Sequence, residues 1–559
     1  MKKSLFSALV FMIGIWLIVF QVPGVSYSDL LADTGGSVVD TASAKPPYRS
    51  TGFPQVVVVS GTNYEMGVQY GRETAPAIFH NVAILKSKLY AAYGSETVTK
   101  DMQVWDYYIR KFDPTLVDWI RGISRGCLSK RFNVSYLDLV LLMVYPTELW
   151  ARPSDPYPPE THMRAQKKGT SLGTSEEETA FHSCNSFAAT GSATPDGKPI
   201  HGITTMVSAE GMDNIILIAF PKDGSSFVSQ TWPGRINGNA AMNSDGFAWN
   251  MTAILIDKPA WGLTEVYFHY LAQLAKSPDE AVNYIQSTPF GGVAGGFVMS
   301  DAQGNVSVFE VAPDRRDHYN LRVPGDVGEP GPWVVQTNHL VAPSLQADNP
   351  FWLIFIGTYP RYDTVFQFLT EAAPNSVDFS FAKNMFASDD WYDAVAKQWH
   401  HNEPGAPGIS NDHTSVSQSI FFPADLIAYL QTGTPSGNGL PAYATGEYVR
   451  IKLAKDPKEV TDQADNDALA FYWDAADFFE HELNANALYL TASLAQTVMD
   501  KLDEAFSAYS LGMDRAAFAY LETNVNKQLA LYGEALTYYA KAQLYSQMAK
   551  TLLLRASGE

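Results

Sequence analysis

The sequence predicts an α+β fold, and three features of the chain predict it. Short segments rich in β-branched and aromatic residues, separated by polar turns, follow one another from residue 184 to about residue 455. Longer segments with helical periodicity precede these segments and interrupt them. Residues 456–559 carry only helical patterns. Strands that are grouped along the chain and accompanied by helices are typical of antiparallel sheets covered by helices.

Residues 1–28 predict a secretory signal peptide. Lys2 and Lys3 give a positive start, and an almost wholly apolar run follows from Leu5 to Phe20. The run is shorter than the ~20 residues that a spanning helix prefers, so cleavage near the small residues that follow is expected. An uncleaved anchor helix is the alternative. We expect a secreted or periplasmic protein that has no membrane contact once the signal peptide is removed.

Residues 29–183 predict a mostly helical region that ends in an exposed linker. The short strand VVVVSG at 56–61 is followed by a helical pattern that begins NYEMGVQYGRE. The segment DLVLLMVYPTELW at 138–150 is apolar enough for a buried helix. The segment 151–180 is polar and begins with several prolines, which favours a loop on the surface. This linker ends shortly before Cys184.

The segment after Cys184 predicts a β-hairpin and then a series of strands, which together form the predicted sheet domain, residues 184–455. NSFAATGSA and IHGITTMVS have strand composition, and Pro195, Asp196 and Gly197 between them favour a turn. Further strands are predicted at NIILIAFP, SFVSQTW, GFAWNMTAIL, GFVMSD, NVSVFEVAP and WVVQTNHL, with a final pair at SQSIFFPADLIAYLQTG and GEYVRIKLA. Helices are predicted between them at LTEVYFHYLAQLAKSPDEAVNYIQ and PRYDTVFQFLTEA.

The C-terminal segment, residues 456–559, predicts a helical extension that packs on the core or on another subunit. From Lys458 to Leu511 the chain has neither glycine nor proline, and apolar residues recur there at steps of three and four. Gly512 and Asp514 predict the end of one helix and the N-cap of the next.

Charge and cysteine content restrict the partners and the chemistry. The formal net charge of −20 disfavours a nucleic acid as partner, because the phosphate groups would be repelled. Cys127 and Cys184 are the two cysteines. An exported protein allows a disulfide between them, but a chain this long buries a core that needs no such bond. We expect Cys127 to be a structural residue on a helix, with the disulfide as the alternative.

Cys184, at the start of a strand and behind an exposed linker, suits one particular chemistry. If the Ser183–Cys184 bond is cut, Cys184 becomes a chain terminus that carries both a thiol and an α-amine. Such an amine has a pKa of about 7.7–8.0, so part of it is neutral near pH 7 and can accept the thiol proton. The thiol can also make the cut, by attacking the preceding carbonyl to form a thioester that water opens. The pattern therefore predicts a self-processing cysteine nucleophile.

Four motifs occur in an order that resembles a known family. They are GTNYEMGVQYGRE, CNSFAATGSATPDGKPIHGITTM, NGNAAMNSDGFAWNMTAI and VVQTNHL, within residues 54–455. The chain resembles the isopenicillin-N, or acyl-CoA:6-aminopenicillanic acid, acyltransferase-like family of cysteine N-terminal-nucleophile hydrolases. The resemblance implies an αββα four-layer sandwich, self-cleavage before Cys184, and no metal or organic cofactor. It also implies that Asn338 stabilises the oxyanion and that Thr252 lies on the oxyanion side. The substrate expected from it is a small acyl amide or ester, and the two chains of the precursor should remain associated.

The sequence departs from this family at one position and leaves two other functions open. Relatives often carry an aspartate on the second hairpin strand, where this chain has Thr204, Thr205 and Met206. A serine esterase acting through Ser171, in the GTSLG segment, is one alternative, although the polar surroundings favour a loop there over a nucleophile elbow. A non-catalytic exported binding protein on the same fold is the other.

Overall fold

A computed structural model shows two β-sheets packed face to face between layers of helices. It describes residues 53–558 except 145–182, 207–213, 237, 255, 257–259, 264, 314–318, 327, 351–356, 389, 401–414, 433–446 and 486. The described helices are α1 (Asn63–Tyr93), α2 (Ser95–Phe112), α3 (Pro114–Ser129), α4 (Tyr136–Val144), α5 (Glu265–Gln273), α6 (Pro278–Ser287), α7 (Thr358–Glu371), α8 (Phe379–Ala387), α9 (Pro457–Asn484), α10 (Ala492–Leu521) and α11 (Val525–Ser557).

The eight-stranded sheet has the order β1-β4-β5-β6-β7-β8-β9-β10. Its strands are β1 (Gln55–Gly61), β4 (Ile215–Pro221), β5 (Phe227–Thr231), β6 (Ala240–Asn243), β7 (Ala248–Ile254), β8 (Ala294–Ser300), β9 (Val306–Val311) and β10 (Tyr319–Arg322). β1 pairs with β4 in parallel and the other neighbours are antiparallel. Residues on both sides of the proposed cleavage point therefore build one sheet.

The six-stranded sheet has the order β11-β2-β3-β14-β15-β16. Its strands are β2 (Ser183–Gly191), β3 (Gly197–Met206), β11 (Trp333–Gln336), β14 (Ser415–Phe422), β15 (Ile427–Thr432) and β16 (Val449–Lys452). A separate two-stranded ribbon joins β12 (Trp391–Asp393) to β13 (Gln398–His400). The predicted hairpin is confirmed, since β2 pairs with β3 in antiparallel register and Cys184 lies opposite Thr205. The predicted final pair of strands is three strands, because a short 3-10 turn at Pro423–Asp425 separates β14 from β15.

Alternation along the strands divides the core into layers. Odd-numbered residues of β1, such as Val57, pack with α1–α6, whereas even-numbered ones, such as Val56, face the space between the sheets. On β2, Ala188 lies in that space, and Phe187 packs with α7 and α8 on the opposite face of its sheet. The layers are thus helices, sheet, sheet and helices. This arrangement confirms the predicted αββα sandwich.

Four glycines fix the packing of α1 against α3. A Cβ at Gly67 or Gly71 of α1 would collide with the main chain of α3 at Trp119 or Ile123. A Cβ at Gly122 or Gly126 of α3 would likewise collide with the main chain of α1. The motif GTNYEMGVQYGRE therefore brings two helix backbones together, which only residues without a side chain allow.

The C-terminal extension covers one end of the sandwich. β1 is one edge strand of the eight-stranded sheet and β16 is one edge strand of the six-stranded sheet, and edge strands expose unpaired main-chain groups. On α11, Thr537 Oγ1 accepts from Val56 N at 2.9 Å, and Gln543 Oε1 accepts from Arg450 N at 2.8 Å. The extension thus packs on the core of its own chain and bonds main-chain groups of both edge strands.

The predicted helix end at Gly512 is wrong. α10 continues through it to Leu521, and a Cβ at Gly512 would lie 2.6 Å from the ring of Tyr539 on α11. The glycine therefore marks a close approach of two helices, not a chain reversal. None of the helices in the described part of the chain is long and apolar enough to cross a bilayer.

A buried polar cluster links the segment before Cys184 to the segment after it. Asp113, the N-cap of α3, accepts from His269 Nδ1 on α5 at 2.8 Å. His269 Nε2 faces Gln273 Oε1 at 3.0 Å, and Trp119 Nε1 donates to the same oxygen at 3.3 Å. Burial alone would raise the pKa of Asp113, but the charge and hydrogen bond of His269 outweigh it and the pKa is lowered. The cluster therefore holds an ionised carboxylate between the two segments.

Candidate active site

Cys184 lies at the beginning of β2, in the space between the two sheets. It is 1% exposed and belongs to the apolar cluster that also contains Ile203. The turn that follows β2 uses Gly191 and Gly197 at positive φ, which returns the chain as β3 beside it. The hairpin therefore fixes Cys184 on an inner strand of the six-stranded sheet and not on a flexible loop.

The register of β11 brings Asn338 to Cys184. β11 pairs with β2 so that Gln336 lies opposite Ser186. In antiparallel pairing, the residue two positions after Gln336 lies opposite the residue two positions before Ser186. These two residues are Asn338 and Cys184. Cys184 N donates to Asn338 Oδ1 at 2.8 Å. Two residues that were predicted from separate motifs are thus in direct contact.

Arg361 on α7 holds both of these residues. Its Nη1 donates to the carbonyl oxygen of Cys184 at 2.9 Å, and its Nη2 donates to Asn338 Oδ1 at 3.0 Å. Nη1 also contacts Asn185 Oδ1 at 2.5 Å. The guanidinium therefore orients the backbone of the nucleophile candidate and the amide beside it at the same time.

The sequence analysis missed Arg361, although a signal for it exists. Arg361, Val365 and Leu369 recur at steps of four and are all buried on α7. An arginine in the apolar stripe of an amphipathic helix has to be paired or to bind something, because burial of an unpaired charge is costly. The signal is therefore that the arginine occupies an apolar position in the helical pattern of PRYDTVFQFLTEA.

Asn239 is the second residue that was missed. It precedes β6, and its Nδ2 lies 3.9 Å from Cys184 Sγ. Its carbonyl accepts from Met251 N at 2.9 Å, which fixes the loop against β7. The side-chain N–H group of Asn239 is therefore placed to donate a hydrogen bond to an oxygen that becomes negative during a reaction at the sulfur.

The orientation of the Asn338 amide follows from its partners. Its oxygen accepts from two donors, Cys184 N and Arg361 Nη2, while its nitrogen donates to Ala253 O at 2.7 Å. Exchange of the oxygen and nitrogen would break all three bonds, so the orientation is determined. The nitrogen carries a second hydrogen besides the one that Ala253 receives.

Thr252 lies behind Asn338 rather than beside Cys184. It is fully buried on β7, and its hydroxyl donates to Thr337 O at 2.7 Å, the carbonyl just before Asn338. Ala253, the next residue, accepts from the Asn338 amide. The structure thus places Thr252 as a support of the loop that carries Asn338.

The position where relatives carry an acidic residue is occupied by threonines in this chain. Thr205 is the strand partner of Cys184, and Thr204 is the partner of Asn185 on the opposite face. Among the described residues, a charged side chain that contacts Cys184 is the cation Arg361. Arg361 therefore contributes a positive potential at the main chain of Cys184, which is opposite in sign to the contribution of an aspartate.

The two buried histidines near the sheets are poor bases. Burial lowers the pKa of His201 to about 3. Burial, with the nearby charges of Arg361 and Arg322, lowers the pKa of His339 to about 3 as well. Both rings are neutral at physiological pH and accept protons only weakly. Neither of these two rings is therefore suited to accept a proton from a thiol.

Cys127 is a structural residue, as predicted. It lies buried on α3, with its Sγ 3.6 Å from Gly71 O on α1. Burial raises the pKa of the Cys127 thiol to about 12, so it is a thiol and not a thiolate. Neither cysteine forms a disulfide.

Comparison with known families agrees with the motifs. Residues 204–374 match the family described as acyl-coenzyme A:6-aminopenicillanic acid acyl-transferase. The predicted resemblance is confirmed. The matched range contains Asn239, Thr252, Asn338 and Arg361, whereas Cys184 lies before its first residue.

Individual relatives are distant. A protein of Archaeoglobus fulgidus described as uncharacterized is 25% identical over 317 residues, which are 51% of this chain and 50% of the relative. This chain thus spans half the length of that relative.

Solved structures that resemble the chain include a Caenorhabditis elegans ortholog of N-acylethanolamine-hydrolyzing acid amidase. It has 14% sequence identity and a TM-score of 0.29, and the match covers 43% of this chain and 93% of that chain. Penicillin V acylase from Agrobacterium tumefaciens has 16% identity, a TM-score of 0.28, and coverage of 44% and 83%. A variant of conjugated bile acid hydrolase from Clostridium perfringens has 10% identity, a TM-score of 0.29, and coverage of 49% and 93%. The fold assignment rests on the layers described above and not on these scores.

Proposed function

We propose that the chain is a self-processing cysteine hydrolase or acyltransferase that acts on linear amides or esters through an acyl-thioester on Cys184. The observation that carries the proposal is the hydrogen bond from Cys184 N to Asn338 Oδ1, which Arg361 reinforces. A nitrogen that becomes an α-amine after cleavage is already held by an acceptor in the intact chain. A side-chain amide and a guanidinium therefore both bind the main chain of this one buried cysteine.

Self-cleavage uses the groups that surround Cys184. The thiol attacks the carbonyl carbon of Ser183, the C–N bond of the peptide breaks, and the acyl group is transferred to sulfur as a thioester. The Cys184 nitrogen takes the proton that the thiol loses. Water then opens the thioester, which leaves a carboxylate on Ser183 and a free thiol and α-amine on Cys184.

The α-amine that results is a suitable general base. Its ordinary pKa is about 7.7–8.0. Arg361 shares the acceptor oxygen of Asn338 with this nitrogen, and a nearby positive charge disfavours the ammonium form. We expect the amine to be largely neutral near pH 7 and therefore able to accept the thiol proton.

Turnover repeats the same chemistry on a substrate. The thiolate of Cys184 attacks the acyl carbonyl, and the developing oxyanion receives hydrogen bonds from the second N–H of Asn338 and from Asn239 Nδ2. The α-amine gives its proton to the leaving amine or alcohol as the carbon–heteroatom bond breaks. Water, or an amine acceptor, then attacks the thioester and releases the acyl group.

Export and chain association belong to the same proposal. The predicted signal peptide supports a secreted or periplasmic enzyme. The pairing of β1 with β4, together with the buried Asp113–His269 pair, supports two chains that remain associated after cleavage. The proposed substrate is a small acyl amide or ester.

Trapping of the acyl-enzyme tests the proposal. The purified protein is mixed with chromogenic acyl anilides and N-acyl amino acids, quenched in acid and digested. We expect a mass increase equal to the acyl group on the peptide that contains Cys184, and none on the Cys127 peptide. Turnover without any acyl group on Cys184 would contradict the proposal. Addition of an amine acceptor then separates acyl transfer from hydrolysis by the product formed.

A further inference from the structure

The loop that carries Asn338 is attached to the first turn of α7 at a second point besides Arg361. Asn338 N donates to Thr358 Oγ1 at 2.8 Å. Thr358 is the first residue of α7 and is fully buried. Thr358 and Arg361 are three residues apart, so both lie on the same face of the helix. One helical turn therefore holds the main chain and the side chain of the same asparagine.

We propose that Thr358 is a positioning residue that sets the place of the Asn338 amide relative to Cys184. The inference rests on the proposed function and assigns a role to a residue that touches neither the substrate nor the sulfur. Asn338 has one main-chain donor and one side-chain amide. Arg361 and Cys184 fix the amide oxygen, and Thr358 fixes the backbone from which the amide extends.

The hydroxyl of Thr358 is part of a network in which Thr337 Oγ1 and His339 Nδ1 are further partners, each at 3.0 Å. Thr358 Oγ1 accepts from Asn338 N and lies 3.0 Å from His339 Nδ1, to which it can donate its single hydrogen. Thr337 Oγ1 donates to Thr358 O at 3.1 Å. Donation from Thr358 to His339 requires that Nδ1 of the ring be an acceptor. A neutral ring with its hydrogen on Nε2 meets that requirement.

The electrostatics around His339 keep this arrangement in place. A charged ring would carry a hydrogen on Nδ1 and could no longer accept the hydrogen of Thr358 Oγ1. Arg361 and Arg322 are the charges that face the ring, and Tyr359 and Tyr362 pack against it. The two cations and the burial all disfavour the charged form. The network that holds Asn338 therefore does not change over the pH range of the proposed reaction.

Loss of the Thr358 hydroxyl should affect catalysis more than binding. A displacement of about 1 Å at a catalytic group can cost on the order of 10²-fold in rate. Thr358→Val keeps the shape of the side chain and removes the acceptor for Asn338 N. We expect kcat to fall about 10- to 100-fold, with KM little changed. Thr358→Ser keeps the hydroxyl and should retain wild-type kcat to within about threefold, because its acceptor remains.

Thr364 on the same helix provides the matched control. It is also fully buried, and its Oγ1 donates to Pro360 O at 2.6 Å and accepts from Tyr392 N at 2.9 Å. Thr364→Val therefore makes the same chemical change without contact to Asn338. We expect its thermal stability to fall as much as that of Thr358→Val, while kcat stays near the wild-type value.

The experiment measures kcat, KM and the rate of self-cleavage for wild type, Thr358→Val, Thr358→Ala, Thr358→Ser, Thr364→Val and Cys184→Ala. Self-cleavage, followed by denaturing electrophoresis, needs no substrate, and Thr358→Ala provides a second variant if the valine chain does not fold. A fall in kcat and in self-cleavage for Thr358→Val, recovery in Thr358→Ser, and no fall in Thr364→Val are the expected results.

Two outcomes separate this inference from the proposed function. If Cys184→Ala is inactive but Thr358→Val and Thr358→Ala match wild type, the positioning role is wrong and the proposed function stands. If Thr364→Val loses kcat as strongly as Thr358→Val, the effect is general to α7 and the inference is also wrong. Turnover in Cys184→Ala would instead contradict the proposed function.

Discussion

Replacing Cys184 with alanine should leave a folded, uncleaved chain that has no turnover of acyl amides or esters. The thiol is the attacking group in both reactions of the proposal, so both should be lost together. Loss of the nucleophile in a hydrolase lowers kcat on the order of 10⁶-fold. The variant should still fold, because the change removes one buried sulfur atom and costs about 1 kcal/mol. Electrophoresis, an activity assay and circular dichroism measure these three results.

Three further variants make this prediction specific. Cys184→Ser should cleave slowly, since a hydroxyl can make the same acyl shift, but should lose most of its turnover because it is the poorer nucleophile. Cys127→Ala removes the other buried cysteine and should keep full activity. Ser171, outside the described residues, tests the esterase alternative, and Ser171→Ala should also keep full activity. Full activity in Cys184→Ala, with its loss in Ser171→Ala, would transfer the function to Ser171.

Replacing Asn338 with alanine should slow substrate turnover by about 10²–10³-fold, the cost of one oxyanion donor. The same change removes the acceptor of Cys184 N and one of the acceptors of Arg361, so the amine and the guanidinium both lose a partner. Self-cleavage should also be slower, yet it should reach completion because it is a single intramolecular turnover. Steady-state kinetics and a time course of chain cleavage measure the two effects.

Asn243 is a matched control for Asn338. It is buried, its Nδ2 donates to Ala275 O at 2.7 Å, and its Oδ1 accepts from Phe247 N at 3.2 Å, at a turn away from Cys184. Asn243→Ala should lower stability without a comparable loss of kcat. If Asn338→Ala kept wild-type kcat, or if Asn243→Ala lost as much, the amide of Asn338 would have no part in the reaction.

The sequence predicts the parts of the site that lie within continuous motifs. Cys184 stands in a hairpin whose turn residues are local, and Asn338 follows a short apolar strand, so both are visible in a single segment. Their contact depends on the pairing of β11 with β2, which joins residues about 150 positions apart. The family resemblance, and not the composition, supplied that connection.

Arg361 and Asn239 could not be predicted in the same way. Asn239 precedes β6 of the eight-stranded sheet, whereas Cys184 lies on β2 of the six-stranded sheet, so their contact depends on how the two sheets pack. The helix sequence places Arg361 in the apolar stripe of α7, but its contacts with Cys184 and Asn338 depend on how α7 packs on the six-stranded sheet. Thr252 was predicted on the oxyanion side, whereas its hydroxyl donates to the main-chain oxygen of Thr337.

Gly512 illustrates the opposite failure, in which a local signal misled. Glycine followed closely by aspartate favours a helix end. In this chain the contact between α10 and α11 outweighs that preference, since only glycine fits beneath the ring of Tyr539. Tertiary packing decided the outcome.

The most direct test of a self-processing cysteine enzyme is the mass and the N-terminal sequence of the purified mature protein under denaturing, non-reducing conditions. The account predicts two chains, residues from about 29 to 183 and residues 184–559, the second of which begins CNSFAATG. The two chains should elute together before denaturation. A single uncleaved chain that nevertheless turns over acyl amides would contradict the account, because the α-amine of Cys184 would then not exist to serve as the base.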